Sequence, residues 1–129
     1  MGMHEFVNNC KLDDLELITP ERRTFQMLTY ASHKDHYFRN AYENFTAELI
    51  LQHSRDGMLF VDIGAHHGFY TLLVANRYKN AMIVAFEPVP ENCGVLKKNL
   101  LMNGADNVSI YDVAISNSSG RRPFHIASG

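Results

Sequence analysis

Two acids and two glycines stand where this chain could do chemistry. Asp62 lies near the end of a short apolar run, Met58 to Ile63, and Gly64, Ala65, His66, His67 and Gly68 follow at once. Glu87 ends a second apolar run, Met82 to Phe86. A strand, a glycine-bearing turn and a helix in succession gather backbone N–H groups and a positive helix end at one point. A small, at least partly anionic group is therefore expected at the turn. Gly64 suits a sharp bend, and Gly68 suits close approach of helix and strand.

Three ligand classes use such a turn. A phosphate loop needs a Gly-Lys-Ser/Thr ending, and this turn has no lysine. A dinucleotide site wants Gly-x-Gly-x-x-Gly, whereas the spacing here is Gly64-x-x-x-Gly68. Asp62 just ahead of the turn would also repel a pyrophosphate. S-adenosylmethionine removes both difficulties. Its carboxylate suits backbone N–H groups, its ammonium suits Asp62, and its sulfonium tolerates acidic surroundings. Glu87 is placed to accept from both ribose hydroxyls, at the separation of roughly twenty residues usual for one strand-helix-strand unit. Asp112, Val113 and Ala114, at the end of a third strand, would flank the adenine. A Gly-x-x-x-Gly turn alone reads equally well as packing, and Asp112 alone as a solvated acid. The coincidence of Asp62, Gly64, Gly68 and Glu87 at strand ends separates the two readings.

The elements that must position these residues follow from periodicity. Met58 to Ile63 reads as a strand buried on both faces of a parallel sheet, and Met82 to Phe86 as another all-apolar strand. Phe69, Leu72, Leu73 and Tyr78 mark one side of the helix after the turn. A second helix is expected over Glu91 to Asn103, with Cys93, Leu96 and Leu100 on one face and Gly104 beyond its end. Asn107 to Ile115 alternates more, as a marginal strand does. Asn117 to Gly120 is a turn, and Pro123 to Ile126 is expected to return antiparallel. Right-handed crossovers set the three parallel strands in spatial order 3-2-1. Upstream, residues 1–18 read as an undefined lead-in, and Thr19-Pro20-Glu21 as the start of a helix to about Tyr30. Ser32 to Asp35 reads as a loop. Phe38, Tyr42, Phe45 and Leu49 form the apolar face of another helix, closed by Asp56-Gly57.

Bulk composition bounds the rest. With 129 residues, 46% of them hydrophobic, one domain can build a core without staples. A net charge of −2 and no basic stripe argue against nucleic acid. Two cysteines form no disulfide framework, which makes a cytoplasmic setting the default. No apolar run approaches membrane-spanning length.

VDIGAHHGFYTLLVA, VAFEPVPENCGVLKKNLLMNGADNV and AISNSSG closely resemble the FkbM family of class I S-adenosylmethionine-dependent methyltransferases. The family's motifs read DxGAxxGxxT and AFEPxPxNxxxLxxNxxxNG, and both are present without gaps. The resemblance runs from about Gly57 to Phe124, with YENFTAELIL similar to the preceding segment. It implies a Rossmann-like α/β fold, N-terminal helices plus a parallel half-sheet, and O-methyl transfer to a sugar or small-molecule hydroxyl. It implies that Asp62, Gly64, Ala65, His66, Gly68, Phe69 and Tyr70 line the methionine part of the cofactor. Glu87 would hold the ribose, and Pro88 with the third strand end would border the adenine. His66 departs from the small or Asn residue usual at its position.

On this reading residues 1–56 are a helical lead-in and 57–129 the first half of the cofactor domain. The chain is expected to stop before the family's remaining strands and to be inactive alone. Its unpaired strand edge would then be open to self-association or to a partner chain. His33, His36, His66 and His67 are the histidines near plausible cleft positions for a general base. Neither His33 with His36 nor His66 with His67 has a third ligand of clear spacing, so no metal is expected. A nicotinamide dinucleotide-binding oxidoreductase fragment and a non-catalytic module completed by a partner are the alternatives.

Overall fold

The computed structural model describes residues 12–18, 24–30 and 44–126. Strands β1 (Leu12–Ile18) and β2 (Thr24–Tyr30) come first, followed by helix α1 (Asn44–His53). Then come β3 (Leu59–Ile63), α2 (Phe69–Arg77), β4 (Met82–Phe86), α3 (Pro90–Met102) and β5 (Val108–Tyr111). The expected strand-helix-strand-helix-strand series is present, with β4 on its expected bounds and β3 and α3 shifted by one residue.

β3, β4 and β5 form a parallel sheet in that spatial order, with Asp62 beside Ala85 and Phe86 beside Tyr111. This is the 3-2-1 arrangement read from the sequence, and it belongs to a Rossmann-like α/β fold. Two right-handed crossovers that step the same way put both helices on one face of the sheet. Leu72, Leu73, Ile83, Ala85 and Leu96 are accordingly buried there. The opposite face is not covered among the described residues. Leu59, Val61, Ile63 and Met82 are exposed, Ile63 to 63%. Burial of β3 on both faces is thus corrected: a continuous apolar run permits two covered faces but does not supply the second cover.

Over residues 24–30 the expected helix is not formed. Residues 24–30 are β2, paired antiparallel with β1 so that Met27 faces Leu15 and Tyr30 faces Leu12. The reason lies in TFQMLTY. Phe25, Met27 and Thr29 are buried while Gln26 between them is exposed, a period of two carried by aromatic and β-branched residues. Thr19-Pro20-Glu21 lies outside the described residues, as do Ser32 to Asp35, Phe38, Tyr42, His33 and His36.

The α1 face also differs. Phe45 and Leu49 are exposed, whereas Ala47, Leu51 and Ser54 are buried. Ala47 lies on the opposite side of the helix from Phe45, and a small side chain there permits close helix packing. Tyr78 Oη donates to the Leu51 carbonyl (3.0 Å), tying the α2 end to α1.

β5 is shorter than expected. Val113 and Ile115 lie exposed beyond it, and residues 123–126 form no antiparallel strand, with Phe124 and Ile126 exposed. Asn107 anchors the strand's start by donating through Nδ2 to the Tyr78 and Ala81 carbonyls (3.1 and 2.9 Å).

The hairpin is joined to α3 by side-chain amides. Asn99 accepts from Leu28 N–H (2.6 Å) and donates to Leu28 C=O (2.9 Å). One turn later Asn103 does the same for Gln26, at 3.3 and 2.6 Å. Four residues of helix rise about 6 Å and two residues of strand about 6.6 Å, so the amides match alternate residues along β2. Among the described residues, no helix is long and apolar enough to cross a membrane.

Candidate functional site

The ends of β3 and β4 meet at the turn before α2, and the end of β5 lies beside that of β4. Gly64 N–H (2.8 Å) and Ala65 N–H (3.0 Å) donate to the Phe86 carbonyl, which locks the turn onto the end of β4. Glu87 N–H donates in turn to the Tyr111 carbonyl (3.1 Å), aligning β4 with β5. Gly64 at φ 78° and Gly68 at φ 95° take the left-handed conformations that glycine favours, and His66 joins them at φ 53°. A Cβ on Gly68 would fall inside Leu96 Cδ1, so this glycine makes room for a side chain of α3 rather than for a strand.

The free N–H groups expected at the turn are largely engaged within the chain. Besides Gly64 and Ala65, His66 N–H donates to Glu87 Oε2 (2.8 Å) and Gly68 N–H to the Ala65 carbonyl (2.8 Å). The helix end is occupied too. Asp62 Oδ2 accepts from Thr71 Oγ1 (2.7 Å), and Thr71 N–H also bonds the carboxylate. Thr71 is the third helical residue, so Asp62 reaches over from β3 to neutralise the positive end of α2. Burial raises the Asp62 carboxyl above its ordinary value, Thr71 opposes this, and the neighbouring Glu87 charge adds to it.

Glu87 is 4% exposed and braces the turn. Its Oε2 takes His66 N–H, while Oε1 takes Val89 N–H (3.0 Å) and Asn92 Nδ2 (3.2 Å). A carboxylate has about four acceptor positions, so among the described residues three are filled and the open one is on Oε2. Glu87 is therefore not free to embrace two hydroxyls without giving up one of these bonds.

Asp62, Gly64, Ala65, His66, Gly68, Phe69, Tyr70, Glu87 and Pro88 thus come together around the β3–α2 turn and the end of β4. Asp112, Val113 and Ala114 follow directly on β5 and are exposed. His66 and His67 stack on each other, with centroids 3.8 Å apart. His67 does not face a cleft as a base would. It is fully buried, with Nδ1 bonded to Thr29 Oγ1 (2.9 Å) and Nε2 to Asn92 Oδ1 (3.2 Å).

Sequence reasoning missed Thr29, Thr71, Asn92 and Asn99 as site-builders. Three of them were in plain view, because Thr71 ends the first motif and Asn92 and Asn99 are fixed letters of the second. Thr29 carried no signal, since its role depends on β2 being a strand.

Residues 62–129, a little over half of the chain, match the model of the methyltransferase FkbM domain. Methyltransferase sdnD of Sordaria araneosa is 39% identical over 64 residues. That stretch is 49% of this chain but only 25% of the relative, so the chain spans well under two thirds of it. Three solved structures share the fold at low identity. Precorrin-6y C5,15-methyltransferase from Geobacter metallireducens superposes with a TM-score of 0.51 at 23% identity, over 59% of this chain and 41% of that one. Coclaurine N-methyltransferase, bound to N-methylheliamine and SAH, gives 0.54 at 20% identity, over 63% and 24%. The M. jannaschii tRNA m1G37 methyltransferase gives 0.52 at 16% identity, over 83% and 31%. With both motifs folded into one turn-and-strand-end constellation and the domain model matching from Asp62 onward, the chain belongs to the FkbM methyltransferase family.

Proposed function

We propose that this chain binds S-adenosylmethionine at the β3–α2 turn and serves O-methyl transfer to a hydroxyl of a sugar or small molecule. The observation that carries the reading is the pairing of Asp62 and Glu87. The two acids close neighbouring strands, and burial first, with the nearby Glu87 charge after it, raises the Asp62 carboxyl. Such a pair attracts an ammonium and a sulfonium and repels a pyrophosphate. Asp62 on the α2 end also occupies the place a dinucleotide phosphate would need, which weighs against the oxidoreductase alternative. The family membership supports the methyl-transfer chemistry, and the SAH-bound neighbour supports the cofactor class through the shared fold alone.

Asp62 would accept from the cofactor's ammonium, and Glu87 Oε2 from a ribose hydroxyl. Pro88 and residues 112–114 would border the adenine. When bound, the cofactor supplies a methyl group on a sulfonium leaving group. The chain's task is then to hold that group in line with the acceptor oxygen, and positioning of this kind accounts for much of such a barrier.

Isothermal titration with S-adenosylhomocysteine tests the reading. Binding is expected, weakened at least tenfold by Glu87→Gln. Tight binding of a nicotinamide dinucleotide, with none of S-adenosylhomocysteine, would reject it.

A further inference from the structure

We propose that Asn92 is the positioning residue for the Glu87 carboxylate, held in register by His67 and Thr29, so that the N-terminal hairpin sets the ribose site. The inference rests on the cofactor reading above and names what builds its ribose contact.

Four polar groups form one line from the hairpin to the acid. Thr29 Oγ1 lies 2.9 Å from His67 Nδ1, His67 Nε2 lies 3.2 Å from Asn92 Oδ1, and Asn92 Nδ2 lies 3.2 Å from Glu87 Oε1. The chemistry of the groups fixes the direction of the two bonds nearest the acid. Glu87 accepts, so Asn92 presents its NH₂ to it and its carbonyl to His67. A carbonyl only accepts, so His67 carries a proton on Nε2. In a neutral imidazole Nδ1 is then the acceptor, and the Thr29 hydroxyl donates to it. Each group thus has one role, and the carboxylate plane cannot turn without breaking the line.

The outcome is selective between the two oxygens. Among the described residues, Asn92 and Val89 N–H fill Oε1, while Oε2 carries His66 N–H alone and keeps one acceptor position. Burial makes this a firm arrangement: Thr29 and His67 are fully buried, and a polar group there that loses its partner is costly. His67 is itself pinned from behind, since Asn99 Nδ2 donates to its carbonyl (2.8 Å) while also holding Leu28 of β2.

The test is titration of the chain and its variants with S-adenosylhomocysteine and with its 2′-deoxy and 3′-deoxy analogues. Asn92→Leu should weaken S-adenosylhomocysteine about tenfold, the loss of roughly one positioned hydrogen bond. The loss should shrink for whichever deoxy analogue lacks the hydroxyl that meets Oε2. Thr29→Val, two residues removed from the acid, should weaken binding about threefold, and Thr29→Ser should restore it. A purely structural role would lower Tm and weaken all three ligands alike, and that result overturns the proposal. So does wild-type affinity in a folded Asn92→Leu chain, an outcome that leaves the cofactor reading standing. If the unaltered chain binds no S-adenosylhomocysteine, the cofactor reading fails first, and the proposal falls with it.

Discussion

The Asp62 carboxylate caps a helix that begins seven residues after it in the chain, by accepting from the backbone and the hydroxyl of Thr71. It does so at a cost, because burial and the nearby Glu87 charge both favour its protonated form. A carboxyl whose folded pKa is raised contributes most to stability while protonated in both states, below the unfolded value. That contribution is lost as pH rises through the folded value. Asp62→Asn should therefore raise Tm at pH 7, and the gap to the unaltered chain should close as pH falls toward about 4. The same variant should bind S-adenosylhomocysteine at least tenfold more weakly, an estimate from one charge-assisted hydrogen bond. Thermal melts across pH, paired with titration, check both.

The two glycines of the turn should respond differently to alanine. Gly64 has open space around a Cβ, so only its positive φ opposes substitution, at about 1–2 kcal/mol. Gly68 adds overlap with buried Leu96, raising the loss to about 3 kcal/mol. Urea unfolding of both variants measures the difference. In a double-mutant cycle, Gly68→Ala with Leu96→Ala should lose less than the sum of the single losses.

Asn99→Leu should destabilise the fold by about 2–4 kcal/mol, since it strands the N–H and C=O of Leu28 and the His67 carbonyl. Asn103→Leu, at the half-exposed end of the same amide pair, should lose about 1 kcal/mol. Equilibrium denaturation, with amide exchange at Leu28 and Gln26, reads both effects. Equal losses at the two positions would contradict the pairing described.

Cys93 should resist alkylation in the native chain. Its thiol donates to the Glu87 carbonyl (2.9 Å). Burial foremost, then the Glu87 and Asp112 charges, raise its pKa, with Lys97 opposing. The reactive thiolate is thus scarce at neutral pH. Iodoacetamide should label it at least tenfold more slowly than in urea, which mass spectrometry can follow.

From the residues alone came the parallel order of β3, β4 and β5, the glycine turn, and the two acids at neighbouring strand ends. Those features are written in short-range patterns: apolar runs of strand length, glycines where φ must be positive, and crossovers whose handedness is fixed by the chirality of the chain. The tertiary structure decided what long-range partners decide. Residues 24–30 are a strand because the Phe25, Met27 and Thr29 face meets the core while the Asn99 and Asn103 amides complete an edge that local sequence leaves open. The amides of Gly64 and Ala65 go to Phe86 rather than to a ligand, because the end of β4 lies within reach only once the sheet has formed. The line from Thr29 to Glu87 joins two separate elements, β2 and α3, with the β3–α2 turn and the segment just after β4. Hydrogen bonds of that kind depend on distance in space, and spacing along the chain holds no trace of them.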